Sequence, residues 1–245
     1  MRRAPLEVRD ACQNRVRGGK PGEWPPRVGG SVRRVFVKVC GITNAEDALF
    51  AIAMGADAVG LVFAPGSTRR IDPDAARDVV RELPPGSVAV GVFRDEQPDR
   101  VVELVQHVGL RGVQLHGRET PAEAAVVRRH VPFLVKAFGI DEPLLSRVDD
   151  YDVDAVLLDS STPGSGVAFD WHRAERFVEG RRLILAGGLT PDNVADAIGR
   201  VRPWGVDVAS GVEASPGRKD AVKVRRFVAE ASAALAEFSG PDGSA

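Results

Sequence analysis

The sequence contains few cysteines. Only Cys12 and Cys40 occur among its 245 residues, which is too few for a disulfide framework. Neither cysteine lies in a Cys-x-x-Cys motif or in a cluster of cysteine and histidine with the spacing of zinc ligands. The sequence therefore predicts a protein of the reducing cytoplasm that has no metal site.

The sequence also lacks a long apolar run and an excess of charge of either sign. Its most apolar window, residues 48–64, contains Gly55 and Asp57 and is shorter than the roughly 20 residues that span a bilayer. The 33 basic residues nearly balance the 34 acidic ones, and aromatic residues are 6% of the chain. This composition predicts no membrane segment and no nucleic-acid partner. It leaves the oligomeric state open between a monomer and a homodimer.

Residues 1–34 differ in composition from the rest of the chain. They contain nine Lys or Arg residues and three acidic residues, so the remaining residues carry a net charge of −7. Gly-Gly and Pro-Pro pairs occur, and no apolar periodicity is present. The segment is predicted to be a basic, disordered extension, with a site for an anionic partner, a targeting peptide and a misassigned start codon as alternatives. Residues 239–245 are predicted to be a disordered tail.

From residue 35 onward, short β-branched segments alternate eight times with longer segments that have apolar residues at helical spacing. The predicted strands are Val35–Val39, Ala58–Val62, Val88–Val92, Gly112–Leu115, Phe133–Ala137, Ala155–Leu158, Arg182–Leu185 and Gly205–Val208. The predicted helices are Ala45–Met54, Pro73–Glu82, Pro98–Val108, Pro121–His130, a short one at Glu142–Val148, one from Trp171, Pro191–Ile198 and Ala221–Phe238.

Eight strand-and-helix pairs leave little room for a second domain, and continuous apolar strands are typical of a parallel sheet that helices cover. The sequence therefore predicts an α/β fold, a single-domain (β/α)8 TIM barrel over residues 35–238. A doubly wound open sheet is the alternative. It is disfavoured because the first predicted strand is followed by Cys40-Gly41-Ile42-Thr43 rather than by a Gly-x-Gly-x-x-Gly turn.

In such a barrel the residues that follow each strand face one mouth, where catalytic groups lie. Cys40 follows the first strand, and a thiol there is a candidate base if its pKa falls toward neutrality; an inert buried cysteine is the alternative. Arg69 follows the second strand and could bind a planar carboxylate through two parallel hydrogen bonds, or be surface charge only.

The fourth and sixth strands also end in polar residues. Gln114 and His116 are two residues apart and so lie on one side of the fourth strand; His116 is a candidate ligand contact or a structural hydrogen-bonding group. Asp159 follows the sixth strand and lies too far from the helix near Trp171 to cap it. That distance favours a catalytic role, and a glycine-containing loop with Gly164 and Gly166 follows.

The seventh and eighth strands are followed by small residues. Gly187 and Gly188 precede one helix, and Ser210 and Gly211 follow the last strand. In many barrels the loops after these two strands bind a phosphate through backbone N–H groups. The pair of turns therefore predicts a phosphorylated small-molecule ligand.

Taken in order, these motifs resemble the phosphoribosylanthranilate isomerase family of tryptophan biosynthesis. They are Lys38-Val39-Cys40-Gly41-Ile42-Thr43, Gly55-Ala56-Asp57-Ala58-Val59-Gly60, Ser67-Thr68-Arg69, Val113-Gln114-Leu115-His116-Gly117, Leu157-Leu158-Asp159, Gly164-Ser165-Gly166, Phe169-Asp170-Trp171, the run from Leu185 to Val194, Gly205-Val206-Asp207-Val208 and Ser210-Gly211-Val212-Glu213. Four residues depart from the family pattern, namely Arg118, Gly139 and the pair Val167-Ala168.

The resemblance implies a barrel that isomerises N-(5-phosphoribosyl)anthranilate to the deoxyribulose compound without a metal or an organic cofactor. By the family pattern Cys40 is the general base, Asp159 the general acid and Arg69 the partner of the anthranilate carboxylate. The glycine turns would bind the phosphate, and Asp207 would be a further ligand contact. Two alternatives are a dual-specificity isomerase of histidine and tryptophan biosynthesis, and a binding module that has lost catalysis.

Overall fold

A computed structural model of the chain describes residues 35–160 and 170–236. The predicted extension 1–34, the predicted tail 239–245 and the predicted ligand contacts Gly164 and Gly166 lie outside the described residues. No helix among the described residues is long and apolar enough to cross a membrane.

Eight parallel strands close into a barrel in chain order, which confirms the predicted (β/α)8 fold. The strands are β1 (Phe36–Cys40), β2 (Ala58–Val62), β3 (Val88–Phe93), β4 (Gly112–Leu115), β5 (Phe133–Gly139), β6 (Ala155–Asp159), β7 (Leu183–Leu185) and β8 (Gly205–Val208). β8 pairs with β1 and completes the ring, with Lys38 opposite Asp207 in the register. Full closure leaves the barrel without a free sheet edge.

Helices and short turns connect the strands on the outside of the barrel. The helices are α1 (Ala45–Ala53), α2 (Pro73–Glu82), α3 (Pro98–Val108), α4 (Pro121–Arg128), α5 (His172–Glu175), α6 (Val194–Val201) and α7 (Ala221–Ala236). Three begin with proline, and two of these are capped by a side chain: Asp72 accepts from the Asp74 N–H, and Thr120 forms a capping box with Glu123. Such caps satisfy N–H groups that have no partner within the helix.

Three connections differ from the sequence prediction. The short segment after β5 is a 3₁₀ helix, Pro143–Asp150. α6 begins at Val194 rather than at Pro191, because the Asn193 side chain accepts from the Thr190 N–H and donates to the Gly188 carbonyl, which folds the preceding residues into a turn. A small antiparallel pair, β9 (Glu213–Ser215) and β10 (Arg218–Lys219), follows β8 and was not predicted.

The strand side chains divide between two environments. Val37, Val39, Leu158 and Val206 belong to the apolar core between the barrel and its helices. The alternate positions face the barrel interior because successive side chains of a strand point to opposite faces. These inward positions include Lys38 and Cys40 of β1, Gln114 of β4, Asp159 of β6 and Asp207 of β8. These polar residues therefore converge inside the barrel, toward its C-terminal end.

Candidate active site

Cys40 is the last residue of β1, with its side chain turned into the mouth of the barrel. It is 8% exposed and packs against Val62 and Val92 of the two following strands. Burial raises the pKa of the Cys40 thiol above its usual value, although the neighbouring Lys38 opposes this effect. The sequence analysis made the role of a base conditional on a thiol pKa that falls toward neutrality. In the free protein the thiol is instead neutral, because an apolar wall disfavours its charged form.

Asp159 ends β6 and is buried at the same mouth. One of its carboxylate oxygens, Oδ1, accepts a hydrogen bond of 2.7 Å from the N–H of Ser160. Burial raises the pKa of the carboxyl from 3.8 to about 6, with Asp207 adding to the rise and the Ser160 N–H opposing it. This direction agrees with a group that must hold a proton near neutral pH.

His116 follows β4 and faces Asp159. Its Nε2 lies 3.6 Å from Oδ2 of Asp159, which is too long for a hydrogen bond. Burial, together with the charges of Lys136, Lys38 and Arg94, lowers the pKa of His116 from 6.5 to about 3. The imidazole is therefore neutral, and it is a poor candidate for a general base.

The Gln114 amide fixes the tautomer of this histidine. Nε2 of Gln114 lies 3.1 Å from Nδ1 of His116, and an amide nitrogen donates, so with the amide in this orientation Nδ1 accepts. The ring proton then lies on His116 Nε2. Among the described residues, neither that nitrogen nor Oε1 of Gln114 has a hydrogen-bond partner. One buried donor and one buried acceptor are thus left unsatisfied by the described residues.

Arg69, in the loop after β2, is anchored before any ligand binds. Its Nε and Nη2 donate to the two carboxylate oxygens of Glu213, each at 2.8 Å. Lys219 donates to the same carboxylate at 3.0 Å. The Arg69 stem crosses Gly41, where a Cβ would lie 2.6 Å from the arginine Cδ. The second edge of the guanidinium, Nη1 with Nη2, is the one left for a planar carboxylate.

The turns after β7 and β8 are packed tightly against each other and against the acid. A Cβ on Gly211 would lie 1.9 Å from the carbonyl oxygen of Leu189. A Cβ on Gly187 would lie 2.5 Å from the Ser160 nitrogen and 2.8 Å from Oδ1 of Asp159. Both contacts require glycine. Gly187 and Gly188 also have φ values of 80° and 68°, in the left-handed region that favours glycine.

A buried ion pair supports the neighbouring loops from outside the barrel. Lys136 of β5 donates to Glu119 at 3.1 Å and to the Gly117 carbonyl at 2.7 Å. The Glu119 carboxylate accepts from the backbone N–H groups of Asp95 and Gly117. This pair ties together the ends of β3, β4 and β5, and so holds the backbone next to His116.

The structure places the described members of the predicted site at one end of the barrel. They are Cys40, Arg69, Gln114, His116, Asp159, Gly187, Gly188, Asp207, Ser210 and Gly211. The sequence analysis did not single out Lys38, Glu213 or Lys219, although the first two stand within its quoted motifs. A charged residue inside an apolar strand, as at Lys38, was the available signal. The part of the chain that the structure describes has no group of three His, Cys, Asp or Glu side chains arranged to hold a metal.

The fold and the site together define the class of this protein. It is a single (β/α)8 barrel with a thiol, a buried carboxyl group and two glycine turns at the C-terminal ends of its strands, where barrel enzymes bind and convert their substrates.

Comparisons with known proteins give the family. Residues 37–230 match the family model described as N-(5'-phosphoribosyl)anthranilate (PRA) isomerase. An N-(5'-phosphoribosyl)anthranilate isomerase of Geobacter sp. (strain M21) is 52% identical over 200 residues, which cover 80% of this chain and 97% of that protein. The chain therefore belongs to the N-(5'-phosphoribosyl)anthranilate isomerase family.

Solved structures agree with this assignment. The phosphoribosyl anthranilate isomerase of Thermus thermophilus superposes with a TM-score of 0.76 at 45% identity, covering 83% of this chain and 100% of that one. A second phosphoribosyl anthranilate isomerase was solved in complex with reduced 1-(o-carboxyphenylamino)-1-deoxyribulose 5-phosphate. It superposes with a TM-score of 0.74 at 42% identity, covering 81% of this chain and 99% of that one.

Proposed function

We propose that this chain converts N-(5-phosphoribosyl)anthranilate to 1-(2-carboxyphenylamino)-1-deoxyribulose 5-phosphate, with Cys40 as the general base and Asp159 as the general acid. The reaction is an Amadori rearrangement, and it is a step of tryptophan biosynthesis. One observation supports this assignment of roles. The thiol of Cys40 on β1 and the carboxyl group of Asp159 on β6, whose pKa is raised, face the same mouth of the barrel. The complex of a relative with a reduced 5-phosphate compound supports the substrate class.

The chemistry needs an acid on one side of the sugar and a base nearby. The ring oxygen takes the Asp159 proton as its bond to C1 breaks, and the aniline nitrogen donates electrons to form an iminium ion. The Cys40 thiolate then removes a proton from C2, which gives an enolamine that tautomerises to the ketone. The turns after β7 and β8 lie between β6 and β1 in the ring, so a phosphate held there would place the sugar between the two groups.

The remaining polar groups would position the two ends of the substrate. Arg69, through its free edge, would bind the anthranilate carboxylate, and the Gln114 and His116 pair would contact the ligand with its unpartnered donor and acceptor. Asp207 contributes its second carboxylate oxygen, since Oδ1 is bound to Lys38. Gly187, Gly188, Ser210 and Gly211 would bind the phosphate, together with Gly164 and Gly166, which lie outside the described residues.

The pH dependence of kcat/KM follows from the order in which the two groups titrate. In the free protein Asp159 loses its proton near pH 6, and the Cys40 pKa is higher. Between the two pKa values the pair holds one proton, and a constant fraction of molecules carries it on Asp159. We expect kcat/KM to fall below about pH 6, where both groups are protonated, and to fall again at high pH, where both are ionised. Initial rates from pH 5 to about 10 measure this profile; an increase of kcat/KM toward pH 5 would contradict it.

Removal of the Arg69 guanidinium should weaken substrate binding more than it slows the chemical step. A charged hydrogen bond contributes about 1.5–3 kcal/mol, so Arg69→Ala should raise KM about ten- to a hundredfold with a smaller change in kcat. Steady-state kinetics measure the split. Arg118→Ala is the control, because that arginine follows β4 on the surface. An unchanged KM in Arg69→Ala would show that the carboxylate binds elsewhere.

An isomerase assay on the purified chain, with rescue of a tryptophan auxotroph, tests the proposed reaction directly. Comparable turnover of the histidine-pathway substrate would favour the dual-specificity isomerase instead. A first-strand cysteine argues against that alternative, since the resemblance implies that those enzymes use two aspartates. Calorimetric binding of the phosphosugar with no product formed would favour a binding module.

The cytoplasmic location and the division of the chain are parts of the same proposal. Residues 35–238 would form the whole catalytic unit, with residues 1–34 and 239–245 as additions that the reaction does not need. Limited proteolysis that leaves a stable, active fragment starting near residue 35 supports this division. Loss of activity on removal of the first 34 residues would contradict it.

A further inference from the structure

Lys38 is a charged side chain buried inside the barrel, next to the mouth, and the proposed mechanism gives it no task. It lies on the inward face of β1, two residues before Cys40, and it is 0% exposed. Burial alone would lower the pKa of Lys38, but the nearby Asp207 and Cys40 raise it above its usual value. The amine therefore stays charged, which is unfavourable in an apolar interior unless anionic groups surround it.

The first of these partners is Asp207, directly across the closing seam of the barrel. Nζ of Lys38 lies 2.9 Å from Oδ1 of Asp207. The two residues are opposite each other in the register of β1 and β8. This contact alone would make Lys38 a structural residue that neutralises one buried carboxylate.

The second partner is the thiol. A Cβ on Gly60 of β2 would lie 2.6 Å from Sγ of Cys40 and 3.1 Å from Nζ of Lys38. The thiol and the ammonium thus border the same small gap, which exists because β2 has a glycine at this position. An ammonium carries three N–H donors, so it can face Asp207 and the sulfur at once.

We propose that Lys38 is a positioning residue whose ammonium is shared between Asp207 and Cys40 and stabilises the thiolate that abstracts the C2 proton. This inference rests on the proposed role of Cys40. At rest the ammonium is bound to Asp207. When the one proton that Cys40 and Asp159 share lies on Asp159, the thiol is a thiolate, and the same cation faces two anions without any movement of the strands. Gly60 keeps the approach open.

The electrostatics of the surrounding groups agree with this arrangement. Burial has the largest effect on the Cys40 pKa and raises it. Lys38 has the largest lowering effect, and Lys219 of β10 also lowers the pKa. Asp207 raises the pKa of the thiol. The other charged or titratable groups that face this region are Arg69, Asp159 and His116, of which the histidine is neutral.

The test measures the thiol itself rather than turnover. The full chain carries Cys12→Ser, so that Cys40 is its sole thiol, and the rate of iodoacetamide alkylation is followed from pH 6 to about 11 together with the ultraviolet absorbance of the thiolate. Lys38→Met keeps the length of the side chain without its charge. Lys136→Met is the matched control, because Lys136 is also 0% exposed but lies on the outward face of β5 and pairs with Glu119.

We expect Lys38→Met to move the alkylation midpoint upward by more than one pH unit, so that alkylation at pH 7 slows more than tenfold. The double variant Lys38→Met/Asp207→Asn, which leaves no unpaired carboxylate, should show a smaller upward shift. The rate at high pH, where the thiol is fully ionised, should stay unchanged. A midpoint equal to that of the parent in both variants, or an equal shift in Lys136→Met, would overturn the proposal.

A measurement on the unaltered side chain covers the case in which both variants fail to fold. In the Cys12→Ser chain with ¹⁵N-labelled lysine, one buried ammonium signal should shift at the pH where the thiolate appears, and this shift should vanish in Cys40→Ser. Absence of any coupled shift would refute a shared ammonium. If Cys40→Ala instead retains its turnover while the alkylation shift is present, the role of Cys40 as base fails and the electrostatic coupling stands.

Discussion

Cys40→Ala is expected to lower kcat about 10²–10⁴-fold, the usual effect of losing a general base. The size of this effect follows because the other basic groups of the described mouth are poor substitutes. The Asp207 carboxylate is bound to the Lys38 ammonium. The pKa of His116 is lowered to about 3, mainly by burial, so its basicity is far too low for a proton at C2. Asp159 cannot replace the base either, because it has to hold the proton that it donates as general acid.

The measurement is single-turnover kinetics on the purified variant, which separates the chemical step from binding. Cys12→Ser is the matched control, because it removes the other cysteine of the chain and should leave kcat unchanged. KM should change little in Cys40→Ala, since the thiol contributes to the transition state rather than to binding. Near-parental turnover would remove Cys40 from the mechanism.

Asp159→Asn is expected to lower kcat by a similar factor and, at the same time, to stabilise the folded protein near neutral pH. An amide has no proton to give to the ring oxygen, but it can still accept the Ser160 hydrogen bond, so the geometry is preserved. Turnover is therefore lost for a chemical reason. Residual activity should also lose the dependence on a group with a pKa near 6.

The gain in stability follows from the sign of the Asp159 shift. The folded protein raises this pKa from 3.8 to about 6, so the carboxyl favours the folded state most below pH 3.8, and this contribution is lost as the pH rises through about 6. At pH 7 the ionised group is disfavoured in the folded protein by up to about 3 kcal/mol. Asn removes that penalty.

Urea denaturation of the parent and of Asp159→Asn at pH 7.5 and at about pH 4.5 measures this difference. The variant should be the more stable protein at the higher pH, and the gap should narrow at the lower one. A destabilised Asp159→Asn at pH 7.5 would contradict the raised pKa. Such opposition between stability and activity is common for buried catalytic groups.

The fold could be predicted from the sequence because its strands are short and mostly apolar. Ala58–Val62, Gly112–Leu115 and Gly205–Val208 have the same limits in the sequence prediction and in the structure. The local pattern of apolar residues is enough to locate a strand that is buried on both faces. The start of α6 was misplaced for the converse reason: the Asn193 side chain binds two backbone groups of the preceding turn, and periodicity does not reveal such contacts.

The ion pairs of the mouth could not be predicted, because they depend on which strands become neighbours. Lys38 and Asp207 are 169 residues apart, and Arg69 and Glu213 are 144 residues apart. Both pairs form only when β8 closes against β1. The charge state of Cys40 depends on the same closure together with burial, which raises the thiol pKa in the free protein. The sequence alone could state only the condition that this pKa has to meet for a base.

Because Gly211 packs so tightly against the Leu189 carbonyl, the loops after β7 and β8 can change in evolution only together. Neither can acquire a side chain or a new backbone path without displacing the other, and Asn193 braces the first of them from its own helix. A transplant of one loop into a foreign scaffold should therefore carry no anion affinity. Divergence of this barrel toward other phosphorylated compounds has to proceed elsewhere around the same mouth, among the loops that follow β2 and β4.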